Sequence, residues 1–247
     1  MPRCATGRQL GRWAAPRRSR RDSPARWRAL NGRCAALGKG LVIAVSGRSP
    51  ARLGWLMLAD SHRPGSGAGA RTARATHRIP LFRTLLAYAD ECGPAAAAIS
   101  YPVAQQLICA GRGLGCAVRT GTAPGQRPVL RASSSLREAR VQLVNPGNWH
   151  ASLLMALHQN VTITGYAGGV AGVLTGVIDA IVVAGSPQGY EDLAPLPVIL
   201  AEAGAMVTDL SGGPVLSGPG TALISTGQRH EELLDLVAGL PHGQQQS

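Results

Sequence analysis

The stretch that decides the fold is Tyr190-Glu191-Asp192-Leu193-Ala194-Pro195-Leu196-Pro197-Val198-Ile199-Leu200-Ala201-Glu202-Ala203-Gly204-Ala205-Met206-Val207-Thr208-Asp209-Leu210-Ser211-Gly212-Gly213. Leu193, Leu196, Leu200 and Ala203 recur at helical spacing, so a helix with an apolar stripe is expected through its middle. Gly204 should stop that helix, because glycine enters the left-handed conformation of a helix end at little cost. Met206 to Leu210 reads as a short strand, and Ser211-Gly212-Gly213-Pro214 as a turn. Pro195 and Pro197 fit only a first helical turn, so they predict a late start or a kink. Glu191 and Asp192 stand at the helix mouth, where unpaired N–H groups and the positive end of the dipole favour carboxylates. Position alone leaves two readings open, a cap and a metal ligand beside a phosphate site.

Working outward, helical and strand patterns alternate. Val141 to Val144 reads as a strand, Ala151 to Gln159 as a short helix, and Ile178 to Ala184 as a buried strand. Gly165 to Gly176 is small and apolar, which suits a tightly packed helix. Thr221 to Thr226 is a last core strand, and Arg229 to Ala238 a closing amphipathic helix. Ser133 to Ala139 carries a Ser…Glu spacing like a capping box. Upstream, Pro80 to Ala89, Ala95 to Tyr101 and Gln105 to Ala110 read as strands. Glu91-Cys92-Gly93-Pro94 and the glycine-rich run Gly111 to Ala117 separate them, and a further strand is expected near Val129. This is the pattern of an antiparallel meander. After residue 140 the alternation argues for an α/β layer.

The central stretch resembles the C-terminal signature of the inositol monophosphatase family. There the pattern is Trp-Asp-x-Ala-Ala, an apolar helix, Glu-Ala-Gly-Gly, then a strand ending Thr-Asp and a glycine turn. Here it stands as Tyr190 to Ala194, Glu202-Ala203-Gly204-Ala205 and Val207-Thr208-Asp209, and Leu196 to Ile199 is similar to the histidinol-phosphatase-like branch. The resemblance covers roughly residues 79–240 and includes the glycine-rich turn, where Arg112 is read as structural. It implies a layered αβαβα sandwich of the inositol monophosphatase type, α+β and α/β in class, with a disordered or non-native N-terminal third. The expected organisation is a leader over 1–78, an antiparallel sheet from the N-terminal α+β domain over 79–144, a C-terminal α/β domain over 145–240, and a polar tail over 241–247.

Charge is divided just as unevenly. Residues 1–78 hold 17 of the 25 Lys and Arg with only Asp22 and Asp60, whereas residues 79–247 hold 8 basic and 11 acidic residues. The basic balance therefore belongs to the leader, and a nucleic-acid partner is expected only through residues 1–78. An arginine-rich, acid-poor transit peptide and a reading-frame displacement are the other readings of that leader. The composition, with one lysine (Lys39) among many arginines, is typical of translation from GC-rich DNA. No run is long enough to cross a bilayer. Five scattered cysteines with no Cys-x-x-Cys suit reduced thiols in a cytoplasm.

The chemistry that the resemblance implies is magnesium-assisted hydrolysis of a small phosphate monoester, such as inositol phosphate or histidinol phosphate, by a homodimer. Magnesium takes hard oxygen ligands, and several acids must converge. In the family these come from a Gly-Glu-Glu segment, an Asp-Pro-Ile-Asp-Gly-Thr loop and the late aspartate. Only the last has a counterpart here, Asp192. Gly67 to Thr72 stands where the loop is expected, no Glu precedes Glu91, and Asp60 is read as a loop residue. A frame displacement would explain this, since the codons of Asp-Gly-Thr-Arg read from their second base give Thr-Ala-Arg, the tripeptide Thr72-Ala73-Arg74. The expectation is weak Mg²⁺ binding and weak or absent hydrolysis, with Asp192 as metal ligand and no catalytic residue assigned. A catalytically dead scaffold of the same fold is the competing reading.

Overall fold

The computed structural model describes residues 55–60, 83–90 and 92–243, the side chains of 55–60 and 90 excepted. The leader apart from 55–60, the frame reading at Thr72-Ala73-Arg74 and the end of the polar tail lie outside these residues.

Five strands form an antiparallel sheet in chain order: β1 (Trp55–Asp60), β2 (Thr84–Asp90), β3 (Gly93–Tyr101), β4 (Gln106–Gly111) and β5 (Gly115–Thr120). From β2 to β5 short connections permit this, because antiparallel neighbours need no crossover. Asp60, expected in a loop, instead ends β1 opposite Thr84; the apolar run before it carries the extended backbone one residue further than its loop-like neighbours suggested. The strand expected near Val129 is not formed. Val129 is exposed, and its N–H donates to the Leu174 carbonyl at 2.9 Å instead.

Residues alternate across this sheet as the pleat requires. Ala97, Ile99, Tyr101, Ile108, Ala110, Cys116 and Val118 face the main core. Ala98, Leu107, Cys109 and Ala117 make a smaller buried patch with Leu86. Arg112 closes the sheet's end by donating to the carbonyls of Gly93 and Pro94 at 2.7 and 2.9 Å, the structural role expected of it. Cys92 is disulfide-bonded, which corrects the expectation of reduced thiols throughout. Pairing depends on distance in the fold, which scattered spacing in sequence does not reveal.

The second sheet has the order β7-β6-β8-β10-β9, built from β6 (Arg140–Val144), β7 (Thr162–Thr164), β8 (Ala180–Val183), β9 (Met206–Thr208) and β10 (Ala222–Ser225). β6 lies parallel to β7 and β8, and β10 lies antiparallel to β8 and β9. Helices α1 (Ala151–Asn160) and α5 (His230–Val237) cover one face of this sheet with Leu153, Leu157, Leu233 and Val237. Helices α2 (Val170–Leu174), α3 (Tyr190–Leu193) and α4 (Leu196–Ala203) fill the other side, in the same core as the first sheet. The described residues thus stack as sheet, helices, sheet, helices.

The prolines act as expected. Pro195 separates α3 from α4, and Pro197 sits in the first turn of α4. α4 ends at Gly204, whose φ is 81°. Gly204 N–H donates to the Ala201 carbonyl, and Ala205 N–H to the Leu200 carbonyl. These two bonds are the Schellman pattern, which satisfies carbonyls a helix end would otherwise strand. Glu202 then reaches from α4 to the first sheet, accepting from the N–H groups of Gly113 and Gly115 at 2.6 and 2.7 Å.

Two local expectations are corrected. No helix follows Ser133 to Ala139. Ser133 is drawn to Asp179 instead, while Ser134 bonds the Glu138 carboxylate. The helix expected over Gly165 to Gly176 shrinks to α2. Ala167 and Gly169 donate their N–H groups to the Gln142 side chain, at 2.9 and 3.3 Å, and this holds the preceding residues as a loop.

His230 pins α5 to the sheet through a directional chain. Gly227 N–H donates to Ser225 Oγ, whose hydrogen points to His230 Nδ1 at 2.8 Å. Thr208 Oγ1 donates to the Asp209 carbonyl, so it accepts from His230 Nε2 at 3.1 Å. Every member is satisfied when the imidazole is neutral with its hydrogen on Nε2. Burial lowers the pKa of His230 below the ordinary 6.5, with Glu231 partly opposing. Unfolding therefore takes up a proton as pH falls below about 6.5. Stability from this group is complete above that value and is lost as pH drops toward the lowered folded value; His242, also lowered by burial, acts in the same direction. Urea midpoints at pH 7.5 and 5.5 should fall for the native chain. They should fall less for His230→Gln, and an equal fall in both would refute the assignment.

Candidate functional site

Asp192 lies in the first turn of α3, half-buried. Its pKa is raised, chiefly by desolvation, while Arg83 pulls it down and Glu191 pushes it up. Glu191 folds back on the chain: a β-carbon added to Gly189 would lie 2.6 Å from its carboxylate. The second acid at this mouth, Asp192, lies within the influence of a cation, the Arg83 charge.

That cation comes from the first sheet. Arg83 immediately precedes β2, and α3 packs against β1 and β2. Thr84 pairs with Ser100, so the register brings Arg83 beside Tyr101 at the end of β3. Tyr101 is 3% exposed, and burial is the main reason its phenol is pushed up to about 12. Arg83 and the nearby backbone N–H groups of Val170 and Ala171 lower that pKa, and Tyr166 raises it. The hydroxyl stands so near the start of α2 that a β-carbon on Gly169 would lie 3.1 Å from it. Tyr166, just before that loop, is half-exposed; burial raises its pKa and Arg83 lowers it. Arg83 is thus the charge shared by Asp192, Tyr101 and Tyr166, which arrive on three separate segments. Sequence reasoning missed Arg83, Tyr101 and Tyr166. The available signal was Arg83 itself, the only charge in the apolar run from Ile79 to Ala89.

The other conspicuous acids are committed to structure. Asp209, buried, accepts from the N–H groups of Ser211 and Gly213 at 2.8 and 2.7 Å and closes the turn after β9. Asp179 accepts from Ser133 and Arg140, and Glu202 holds the β4–β5 turn. Among the described residues no three of His, Cys, Asp and Glu converge to hold a metal ion.

The model of the Inositol monophosphatase family matches residues 72–241 of this chain. The chain belongs to the inositol monophosphatase family. A histidinol-phosphatase of Mycobacterium tuberculosis is 26% identical over 166 residues, which are 63% of this chain and 62% of that protein. The Thermotoga maritima IMPase matches with a TM-score of 0.56 at 23% identity, over 67% of this chain and 64% of the other. The inositol monophosphatase from Anabaena gives a TM-score of 0.58 at 19% identity, over 69% and 72%. An IMPase/NADP phosphatase complexed with NADP and Ca²⁺ gives 0.59 at 18% identity, over 70% and 67%. This chain spans less than two thirds of the length of the curated relative and of the Thermotoga enzyme. The fold is the α/β fold of inositol monophosphatases, as the central signature implied.

The family is metal-dependent, and the described residues do not fit a divalent ion well. Magnesium dehydrates reluctantly and is held through carboxylates placed around it. Asp192 is one acid, and its strongest charged neighbour is a guanidinium rather than a second carboxylate. An arginine remains protonated at any working pH, so it competes with a cation for the same oxygen atoms. No helix among the described residues is long and apolar enough to cross a membrane.

Proposed function

We propose that this chain takes small phosphate monoesters at the Arg83–Asp192 site, and that its Mg²⁺-dependent hydrolysis of them is weak or lost. The substrate class is that of inositol phosphate or histidinol phosphate. Family membership supports the phosphate chemistry, and the relative named a histidinol-phosphatase supports the choice of monoester. The single observation that carries the impairment is the Arg83 charge that acts on Asp192 where converging acids are needed. Two-ion hydrolysis needs several hard ligands to activate water and to neutralise the leaving oxygen. A catalytically dead scaffold is the limiting form of this reading, favoured by the structural engagement of Asp179, Glu202 and Asp209.

Phosphate release from histidinol phosphate and inositol phosphate, with and without Mg²⁺, tests the proposal. Release should stay at or near background in both conditions. Robust Mg²⁺-dependent release that Asp192→Asn abolishes would show an intact metal cage and end this reading.

A further inference from the structure

We propose that Tyr166 and Tyr190 flank the ligand crevice of this fold and select a phosphate monoester whose alcohol carries a planar ring, an inference that rests on the phosphate reading above. The crevice follows from topology. β6 lies between β7 and β8, and all three run parallel, so their carboxyl ends share one end of the sheet. The chain leaves β6 toward α1 on one face of the sheet. It leaves β7 and β8 toward α2 and α3 on the other. Where neighbouring strands part to opposite faces, a gap opens beyond their ends, and ligands of α/β sheets settle there. Thr164 and Ile181 stand level with Gln142 on either side of β6, so the loops that leave β7 and β8 rise from strands roughly 10 Å apart. That gap admits a small monoester.

The aromatic residues show which monoester it suits. Phe, Trp and Tyr make up only 4% of the chain, so exposed rings are scarce. Among the described residues two aromatic side chains are exposed, Tyr166 at 49% and Tyr190 at 42%. Tyr166 follows the end of β7 by two residues, and Tyr190 opens α3 after β8. Both therefore stand at the same end of the same sheet, on the two loops that border β6. Their backbone is held. Ala167 and Gly169 donate N–H groups to the Gln142 side chain on β6. Gln188 N–H donates to the Gly220 carbonyl at 2.8 Å, and Ala194 N–H to the Tyr190 carbonyl at 2.7 Å. Rings on fixed backbone lose little freedom on binding, and they pair with the face or edge of another planar ring. A polyol offers no such face. Histidinol phosphate, whose imidazole is planar, is favoured over inositol phosphate.

Calorimetric titration of the full chain in Mg²⁺ buffer decides the matter, with histidinol phosphate, phenyl phosphate and inositol phosphate as probes. Phenyl phosphate carries a planar ring without the ammonium group of histidinol. Both ring-bearing esters should bind about three- to tenfold more tightly than inositol phosphate, the worth of an aromatic pairing. The double variant Tyr166→Leu with Tyr190→Leu should bring all three level while hardly changing the affinity for inositol phosphate, which shows that it is folded. Tyr166→Phe with Tyr190→Phe should keep the preference, because the ring faces remain. Equal affinities in the native chain, or a preference that survives in the leucine pair, would overturn the inference and leave the phosphate reading standing. So would equal weakening of all three esters by the leucine pair, loss of the preference in the phenylalanine pair, or a preference for histidinol phosphate that phenyl phosphate does not share. Failure of all three esters to bind would overturn the phosphate reading as well.

Discussion

Asp179→Ala should cost about 3–5 kcal/mol, the toll of breaking a buried, hydrogen-bonded charge. The Asp179 side chain is fully buried at the start of β8. One oxygen accepts from Ser133 N–H at 2.7 Å. The other accepts from Ser133 Oγ and Arg140 N–H, both at 2.8 Å, and from Arg140 Nε at 3.2 Å. Alanine strands the two backbone N–H groups without acceptors. It also unties the 133–139 loop from the strands β6 and β8. Asparagine is the informative partner. With its oxygen toward Arg140 it keeps three of the four bonds, but its NH₂ then faces Ser133 N–H, donor against donor. It should therefore fall between the native chain and alanine. Urea denaturation with fluorescence from the buried Trp149 measures both. A loss below about 1 kcal/mol for alanine would mean that water or a moved loop replaces the carboxylate.

Gly172→Ala should be nearly as damaging. A β-carbon there would lie 2.0 Å from the Ala167 carbonyl oxygen and 3.2 Å from Ile178 Cγ1. The first of these contacts is backbone, and the Gln142 side chain fixes the residues on either side of it. Neither group can swing aside, so the cost should reach or exceed about 3 kcal/mol. In a chain of this size that lowers Tm by roughly 6–12 °C. Gly147, around which an added β-carbon meets nothing within 4 Å, is the control. Gly147→Ala should change stability by less than about 0.5 kcal/mol. Equal melting of the two variants would show that the α2 turn yields more readily than its contacts imply.

These two positions show where sequence reading succeeds and where it stops. Patterns carried by neighbours along the chain were legible. Gly204 after a leucine stripe gave the helix end, prolines at 195 and 197 gave the break before α4, and turn residues at 93–94 and 111–115 gave the meander. The signature around Asp192 was legible because it is contiguous. Groups whose partners are remote were not. Asp179 meets Ser133 across 46 residues, and Glu202 meets Gly113 across 89. Nothing local in Val177-Ile178-Asp179-Ala180 marks a buried anchor. Arg83 and Asp192 stand more than a hundred positions apart, and only the packing of α3 on β2 joins them. The Gly165 to Gly176 segment misled for a different reason. Its small residues permit a helix, yet Gln142, on another strand, captures the N–H groups that a longer helix would have used.

The position of α4 has one more consequence. It has a sheet on either side and is fastened to one of them by Glu202. Adding one residue within Leu196–Ala203 would rotate everything after it by about 100°. Leu200 would leave its socket, and Glu202 would swing off the turn it grips. This segment can therefore exchange side chains far more readily than it can change length, whereas an inserted residue in a surface loop would leave both grips intact.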